Sequence, residues 1–323
     1  MNKLLNRFSL ATMLAAPLLA LSAIGAHAAD AYPDKPIRVV VPYAAGGADT
    51  YIRPLQPSMQ REHKMNLVID TVTGAGGTIG AAQVKRAAPD GYTLLFCGSG
   101  ALTIAPVLQG SNLSANDFVP VMNLVSIPYI VAVRKDSPLV KVGALLDYVK
   151  TNPGKLTYGT PGVGSAPHLA MEEVANKLGS QVTHVPFSGI ATAVQSLLGG
   201  HIEAVVGAPS VVMPQVRAGL LVAVALTSKE RFSFIPDVPT LAESGLPLDV
   251  STHFGFYAPK GTPDPIVQSL AAAIRQGAAD PEFVKAMDLL QNKIELLPGP
   301  AFAKALEAES KSFAPIIASL PKQ

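Results

Sequence analysis

TGAGGTIGAA, residues 73 to 82, sets glycines at 74, 76, 77 and 80 between an apolar run and small residues suited to opening a helix. The run before it, NLVIDTV (66 to 72), is rich in β-branched residues, and IGAAQVKRAA continues after it, so the whole reads as strand, glycine loop and helix. A loop of this kind brings backbone N–H groups at a helix N-terminus up to a bound anion. It does not read as a nucleotide loop. GAGGTIG puts its last glycine one place late for G-x-G-x-x-G, and no G-K-[ST] follows.

The same unit recurs outward in both directions. IRVVVPY (37 to 43) is a buried strand leading to a glycine pair, and YTLLFCGSG (92 to 100) repeats strand and turn. SIPYIVAVRKD (126 to 136) is long enough to be one connecting strand. A second series follows: helix GALLDYVKTNPG (143 to 154), then strand, loop and helix in KLTYGTPGVGSAPHLAMEEVANKLG (155 to 179), QVTHVPFSG with IATAVQSLLGG (181 to 200), and IEAVVGAPSVVMPQVRAG (202 to 219). LLVAVALTS (220 to 228) is a further buried strand, THFGFYAP (252 to 259) a strand leading back, and the segment from Asp264 reads as two amphipathic helices broken near Leu297-Pro298. Alternation at this spacing predicts parallel βα units in two α/β lobes, with a cleft between them that the chain crosses twice. Five loops should converge on that cleft: Pro42 to Asp49, Thr73 to Thr78, Gly98 to Gly100, Gly159 to Ser165 and Pro186 to Gly189.

Composition narrows the setting. Lys3 and Arg7, the apolar run Phe8 to Ile24 and Ala26-His27-Ala28 form a signal-peptide pattern with cleavage after Ala28, and the run is short for a membrane span. Removing that leader takes away two positive charges and leaves a formally neutral chain, which does not advertise nucleic acid or an anionic membrane as partner. The single cysteine, Cys97, sits in apolar LLFC and reads as a buried small residue. Catalytic patterns are thin: neither Ser99 nor Ser165 makes a G-x-S-x-G elbow, and no histidine spacing suggests a metal. No enzyme activity, cofactor or metal is expected. His168 reads either as a residue of the helix start opened by Ser165 or as a ligand contact, and His184 as a satisfied core histidine.

In order along the chain, PDKPIRVVVPYAAGGADT, TGAGGTIGAAQVKRAAPDGYTLL, NPGKLTYGTPGVGSAPHLA, HVPFSG, PDVPTLAESGLP and FGFYAPKGTP resemble the receptors of tripartite tricarboxylate transporters, the Bug or TctC family, over nearly all of the chain past the leader. The resemblance implies an α/β periplasmic-binding-protein fold of the type II-like, Venus-flytrap kind, with two α/β domains around a ligand cleft joined by two crossover strands. The expected limits are 1–28 for the signal peptide, 29–130 with 253–323 for domain 1, and 131–252 for domain 2. It also implies a periplasmic monomer of a Gram-negative bacterium that binds a small carboxylate and delivers it to membrane permease subunits. Carried over by position, Tyr43, Ala44, Ala45, Gly46, Gly47, Ala48 and Asp49 would line the first wall with Gly76, Gly77 and Ser99. Thr160, Gly164, Ser165 and His168 would cap the ligand from the second, with Phe187, Ser188 and Ala208 closing the side.

Three departures bear on the ligand. GGADT moves the acid to Asp49, Gly207 stands where the family commonly has an aspartate, and His253 replaces a common tryptophan. Loss of the acid removes a partner for an amino group, and His253 offers a proton to a second carboxylate. The expected ligand is therefore a dicarboxylate, an aromatic one such as terephthalate, with one end in the loop amides and the other near His253 or Arg53. Arg53 as a solvated helix residue and His253 as a packed strand residue are the plain alternatives. An exported carboxylate-acting enzyme and a ligand receptor for a signalling system are the rival functions.

Overall fold

The computed structural model describes residues 32–43 and 45–319; the expected leader and Ala44 lie outside them. The chain divides at Asp34, and everything below concerns the compact unit that begins at Lys35. Its strands are β1 (Ile37–Val41), β2 (Leu67–Thr71), β3 (Thr93–Gly98), β4 (Phe118–Pro128), β5 (Ile130–Arg134), β6 (Thr157–Thr160), β7 (Thr183–Pro186), β8 (Ala204–Gly207), β9 (Leu221–Leu226), β10 (Ser251–Pro259) and β11 (Lys293–Ile294).

They form two sheets, in the orders β11-β4-β10-β3-β1-β2 and β7-β6-β8-β5-β9. β1 pairs in parallel with β2 and β3, and β6 with β7 and β8, as continuous apolar strands joined by helices should. Both sheets are nevertheless mixed, because β10 runs antiparallel to β3 and β4, and β5 antiparallel to β8 and β9. These are the strands around the two passages between sheets. The expected single strand over 126 to 134 is instead two strands meeting at Tyr129: β4 begins earlier, at Phe118, and ends at Pro128, whose ring nitrogen cannot donate to a ladder. The return passage lies between β9 and β10.

Each sheet carries its own apolar layers. Val40, Leu95, Cys97 and Tyr257 pack with Ala81 and Val84 of the helix Thr78–Lys85 on the first sheet. Val131, Val133, Tyr158 and Val206 pack with Leu169 and Val174 of the helix Ala166–Lys177 on the second. Beyond β10 come two helices, Asp264–Gly277 and Pro281–Leu289, then β11 as an added edge strand, then the long C-terminal helix Gly299–Ser319. Phe302 and Leu306 of that helix belong to the first sheet's core, whereas Phe313, Ile316 and Ile317 belong to the second's. One helix thus braces both.

Candidate functional site

The elements above leave a cavity of about 1070 Å³ bounded by residues attached to both sheets. Tyr43 and Gly76 come from the segments after β1 and β2, Gly98 ends β3 and Gly100 follows it, and Thr252 and Phe254 come from β10. Pro161, Val163, Gly164 and Ser165 come from the loop after β6, and Tyr129 from the break between β4 and β5. Ile104, Val107 and Leu108 close one side and Ile317 of the C-terminal helix another. Among the described residues no charged side chain lines it.

An anion entering this cleft meets dipoles instead. The helix Ala166–Lys177 starts at its rim with Ser165 as N-cap, yet Ser165 Oγ donates to Gly162 O at 2.7 Å and makes no cap bond to the helix. The N–H groups of Ala166 and His168 therefore have no side-chain cap at the positive end of the helix dipole, and Pro167 between them has no N–H. Gly98 N donates to Tyr43 Oη at 3.2 Å, so the Tyr43 hydroxyl proton is left for another acceptor. Burial raises the pKa of Tyr43 and of Tyr129, which keeps both phenols as neutral donors, and Tyr129 shares a hydroxyl pair with Thr252 Oγ1. Phe254 supplies an aromatic wall, edge-on to Tyr51 with ring centroids 5.1 Å apart and backed by Tyr43 and Phe96.

Of the residues picked out from sequence, Tyr43, Gly76, Gly164 and Ser165 meet in this cleft. The loop Pro186 to Gly189 contributes nothing to its lining: Phe187 packs on the second sheet's other core layer, and Ser188 faces solvent. Ala208 is half-buried, and Ala45, Gly46 and Gly47 are exposed away from the lining. Ala48 and Asp49 are buried, and Asp49 Oδ2 accepts from Arg53 Nε at 2.8 Å, so Arg53 is an ion-pair partner at the helix edge rather than a free ligand cation. Gly77 makes room for packing: at φ +99° a β-carbon there would fall 2.9 Å from Ala101 Cβ. Ser99 lies behind the lining with its hydroxyl enclosed and without a partner.

His168 and His184 form a stacked pair beneath the second-lobe loop, ring centroids 3.9 Å apart. His168 Nδ1 accepts from Gly164 N at 3.0 Å, and His184 Nε2 pairs with Thr160 Oγ1 at 2.7 Å. Burial lowers the pKa of both to about 4, helped for His168 by its neighbour's charge, so both rings are neutral near pH 7. His168 and Thr160 thus hold the loop from below instead of touching the cavity.

His253 is the clear misplacement. Side chains alternate along a strand, and with Thr252 and Phe254 turned to the cleft, His253 points the other way. It borders a separate cavity of about 270 Å³ with Ser126, Lys293 and Glu295. There Ser126 Oγ donates to Glu295 Oε2 at 2.5 Å and bonds His253 Nδ1 at 2.8 Å. Sequence reading missed Tyr129, Thr252, Leu108 and the C-terminal helix as wall elements; Tyr129 beside Pro128 was the available signal.

Residues 51–319 match the tripartite tricarboxylate transporter family receptor. A UPF0065 protein encoded in the gbd 5′ region of Cupriavidus necator is 36% identical over 267 residues, 82% of this chain and 81% of its own length. Among solved structures, a TctC solute-binding protein from Polaromonas, without ligand, superposes with a TM-score of 0.82 at 32% identity, covering 90% of this chain and all of its own. MatC from Rhodopseudomonas palustris, with bound malate, superposes with a TM-score of 0.71 at 30% identity, covering 88% of this chain and all of its own. Receptors of this family are periplasmic, and the family and these structural neighbours are solute-binding receptors, not enzymes. The chain belongs to the tripartite tricarboxylate transporter receptor family, as a two-lobed solute-binding receptor of the TctC type.

Proposed function

We propose that this receptor captures a small organic carboxylate with an apolar body in the periplasm and delivers it to the permease subunits of a tripartite tricarboxylate transporter. The observation that carries the reading is the lining itself: an uncapped helix start at Ala166 and the spare Tyr43 proton, set in walls of Phe254, Ile104, Leu108 and Val163, with no charged side chain among the described residues. Donors of this kind grip one carboxylate well, and the apolar walls favour a flat or hydrocarbon frame over a densely charged ligand such as citrate. The malate bound by MatC is likewise a small organic carboxylate, with a more polar frame than the one proposed here.

Within that class we favour an aromatic dicarboxylate, terephthalate being the representative. Its first carboxylate would meet the N–H of Ala166, since Ser165 N already donates to Gly162 O at 3.3 Å, and its ring would lie against Phe254. The second would take the Tyr43 hydroxyl, since Arg53 is engaged by Asp49 and His253 faces the other cavity. The lobes we assign are 29–130 with 253–323 and 131–252, acting as a monomer after removal of residues 1–28. The strand division runs within two residues of those limits, with β5 of the second sheet beginning at Ile130 and β10 of the first at Ser251, while Phe313, Ile316 and Ile317 of the C-terminal helix pack on the second core.

Titration calorimetry of the mature chain against terephthalate, benzoate, succinate, malate and citrate tests the reading, alongside thermal shifts that should follow RT ln(1 + [L]/Kd), about 2.7 kcal/mol at a hundredfold excess over Kd. Tight terephthalate binding is expected. Exclusive binding of citrate or of an amino acid removes the aromatic proposal, and catalytic consumption of an acid removes the receptor reading.

A further inference from the structure

The buried stripe of the C-terminal helix, Phe302, Leu306, Phe313, Ile316 and Ile317, follows helical spacing and is apolar apart from one interruption, Glu309, which lies on the same face midway along it. Its position is where the helix passes from the first sheet's core to the second's. Thr103 Oγ1 lies 2.5 Å from Glu309 Oε1 and 2.9 Å from Ser99 O, so its single proton serves only one of them, while Oε2 is shut off from solvent and has no hydrogen-bond partner among the described residues. Nearby, Ser99 Oγ and Tyr257 Oη are also enclosed and unpartnered.

The groups facing Glu309 are Cys97 from β3, Tyr257 from β10 and Tyr129 from the break between β4 and β5, all neutral acids that feel its charge. Further along the helix, Ser312 Oγ bonds Glu173, whose own cation is Lys177. Among the described residues no Lys, Arg or His forms an ion pair with Glu309. A carboxylate buried without a cation is costly, and a proton is the simplest remedy. Burial accordingly pushes Glu309 up to about 7, against the pull of Thr103 and of Ser99, which stands near it without a well-formed bond.

The cleft floor lies one layer in front. Gly98 and Gly100 line it on either side of Ser99, Ala101 and Ile104 line it beside Thr103, and the Tyr129 ring both borders the cavity and senses Glu309. A second negative charge brought to that floor would act on Glu309 through dry protein, where screening is weak.

Resting on the carboxylate reading above, we infer that Glu309 is a proton site coupled to the cleft: when a carboxylate is captured, one proton moves from solvent buffer onto Glu309 Oε2, and the receptor holds anion and proton together. The enclosed carboxyl then sets the ligand's charge balance, because a dianion enters a wall behind which this acid has been neutralised.

Calorimetry of the mature chain with terephthalate, benzoate and succinate near pH 7.5, in phosphate and in Tris, reads the protons exchanged from the difference in apparent enthalpy. Uptake of between about half and one proton per ligand is expected, with affinity falling up to about tenfold per pH unit above neutrality. Glu309→Gln, checked by circular dichroism and melting, should bind the same probe with no proton uptake and a flat affinity between pH 6 and 8. Binding by the wild type without buffer dependence overturns the inference while leaving the receptor reading intact. Undiminished uptake in Glu309→Gln places the proton elsewhere and overturns it too, and failure of all three probes to bind removes the reading and the inference together. The wild-type comparison alone decides if the variant does not fold.

Discussion

Gly164 and Leu108 touch across the cleft: a β-carbon built on Gly164 would fall 2.0 Å from Leu108 Cδ1. Gly164 also sits at φ +73°, where a side chain costs about 1–2 kcal/mol. Gly164→Ala should therefore weaken ligand binding by roughly tenfold or more, since 1.4 kcal/mol is a factor of ten. Adding Leu108→Ala should restore part of the loss by removing the clash while leaving the backbone strain. Calorimetric Kd values for the three variants check this, and equal affinity in Gly164→Ala and wild type would show that the contact does not govern closure.

Acid should unfold the second lobe's loop first. Both His168 and His184 have folded pKa values depressed to about 4 by burial, so their contribution is present above about 6.5 and is lost as pH falls from 6.5 through 4. At about 1.4 kcal/mol per unit this is on the order of 3 kcal/mol for His168, and less for the half-exposed His184. Protonating His168 Nδ1 also breaks its bond from Gly164 N, so ligand affinity should fall in the same window. Glu309, raised to about 7, opposes this, because its contribution is complete below about 4.5 and declines up to 7. Urea midpoints at pH 7, 5 and 4 should show net acid destabilisation in the wild type, a steeper loss in Glu309→Gln and a shallower one in His168→Gln with His184→Gln. A wild-type midpoint that rises steadily from pH 7 to 4 would contradict the histidine argument.

Tyr43→Phe removes both the acceptor for Gly98 N and the spare hydroxyl proton. One hydrogen bond to a charged ligand group is worth about 1.5–3 kcal/mol, so Kd should rise by about one to two orders of magnitude, and the orphaned Gly98 N–H should lower stability by about 1–3 kcal/mol as well. An unchanged Kd for every carboxylate tried would move the anion's seat away from Tyr43.

His253→Ala and Ser126→Ala act in the other cavity. They strip partners from Glu295, whose pKa is held down by Ser126, Lys293 and His253 against its burial. Each should lower stability by about 1–3 kcal/mol and leave ligand Kd within roughly a factor of three. A hundredfold loss of affinity in His253→Ala with an unchanged fold would put that ring back among the ligand contacts.

The βα units were legible because their strands are unbroken apolar runs bounded by glycine and proline. IRVVV and AVVG are buried along nearly their whole length, and the helix Val142–Thr151 ends beside the expected Asn-Pro-Gly. Strand direction was not legible, since runs such as LVAVAL look alike in parallel and antiparallel pairs, and two-residue β11 carries no pattern at all. In the site, position along the chain found Tyr43, Gly76, Gly164 and Ser165, but a carried-over position does not say which face of a strand a side chain takes. The period of two from Phe254 would have turned His253 away. Glu309 escaped notice because a single acid in an amphipathic helix resembles a solvated one; the spacing 302, 306, 309, 313, 316 held the correction.

The C-terminal helix has a mechanical consequence. Two strand passages alone would let the lobes swing and twist freely about the line joining them, whereas a rigid rod anchored by Phe302 in one and by Phe313 in the other is a third strut that resists torsion. Opening is then confined to a shallow gape in one plane, and a chain cut short before Phe313 would wobble, trading a fast, well-aimed snap onto its cargo for a slack one.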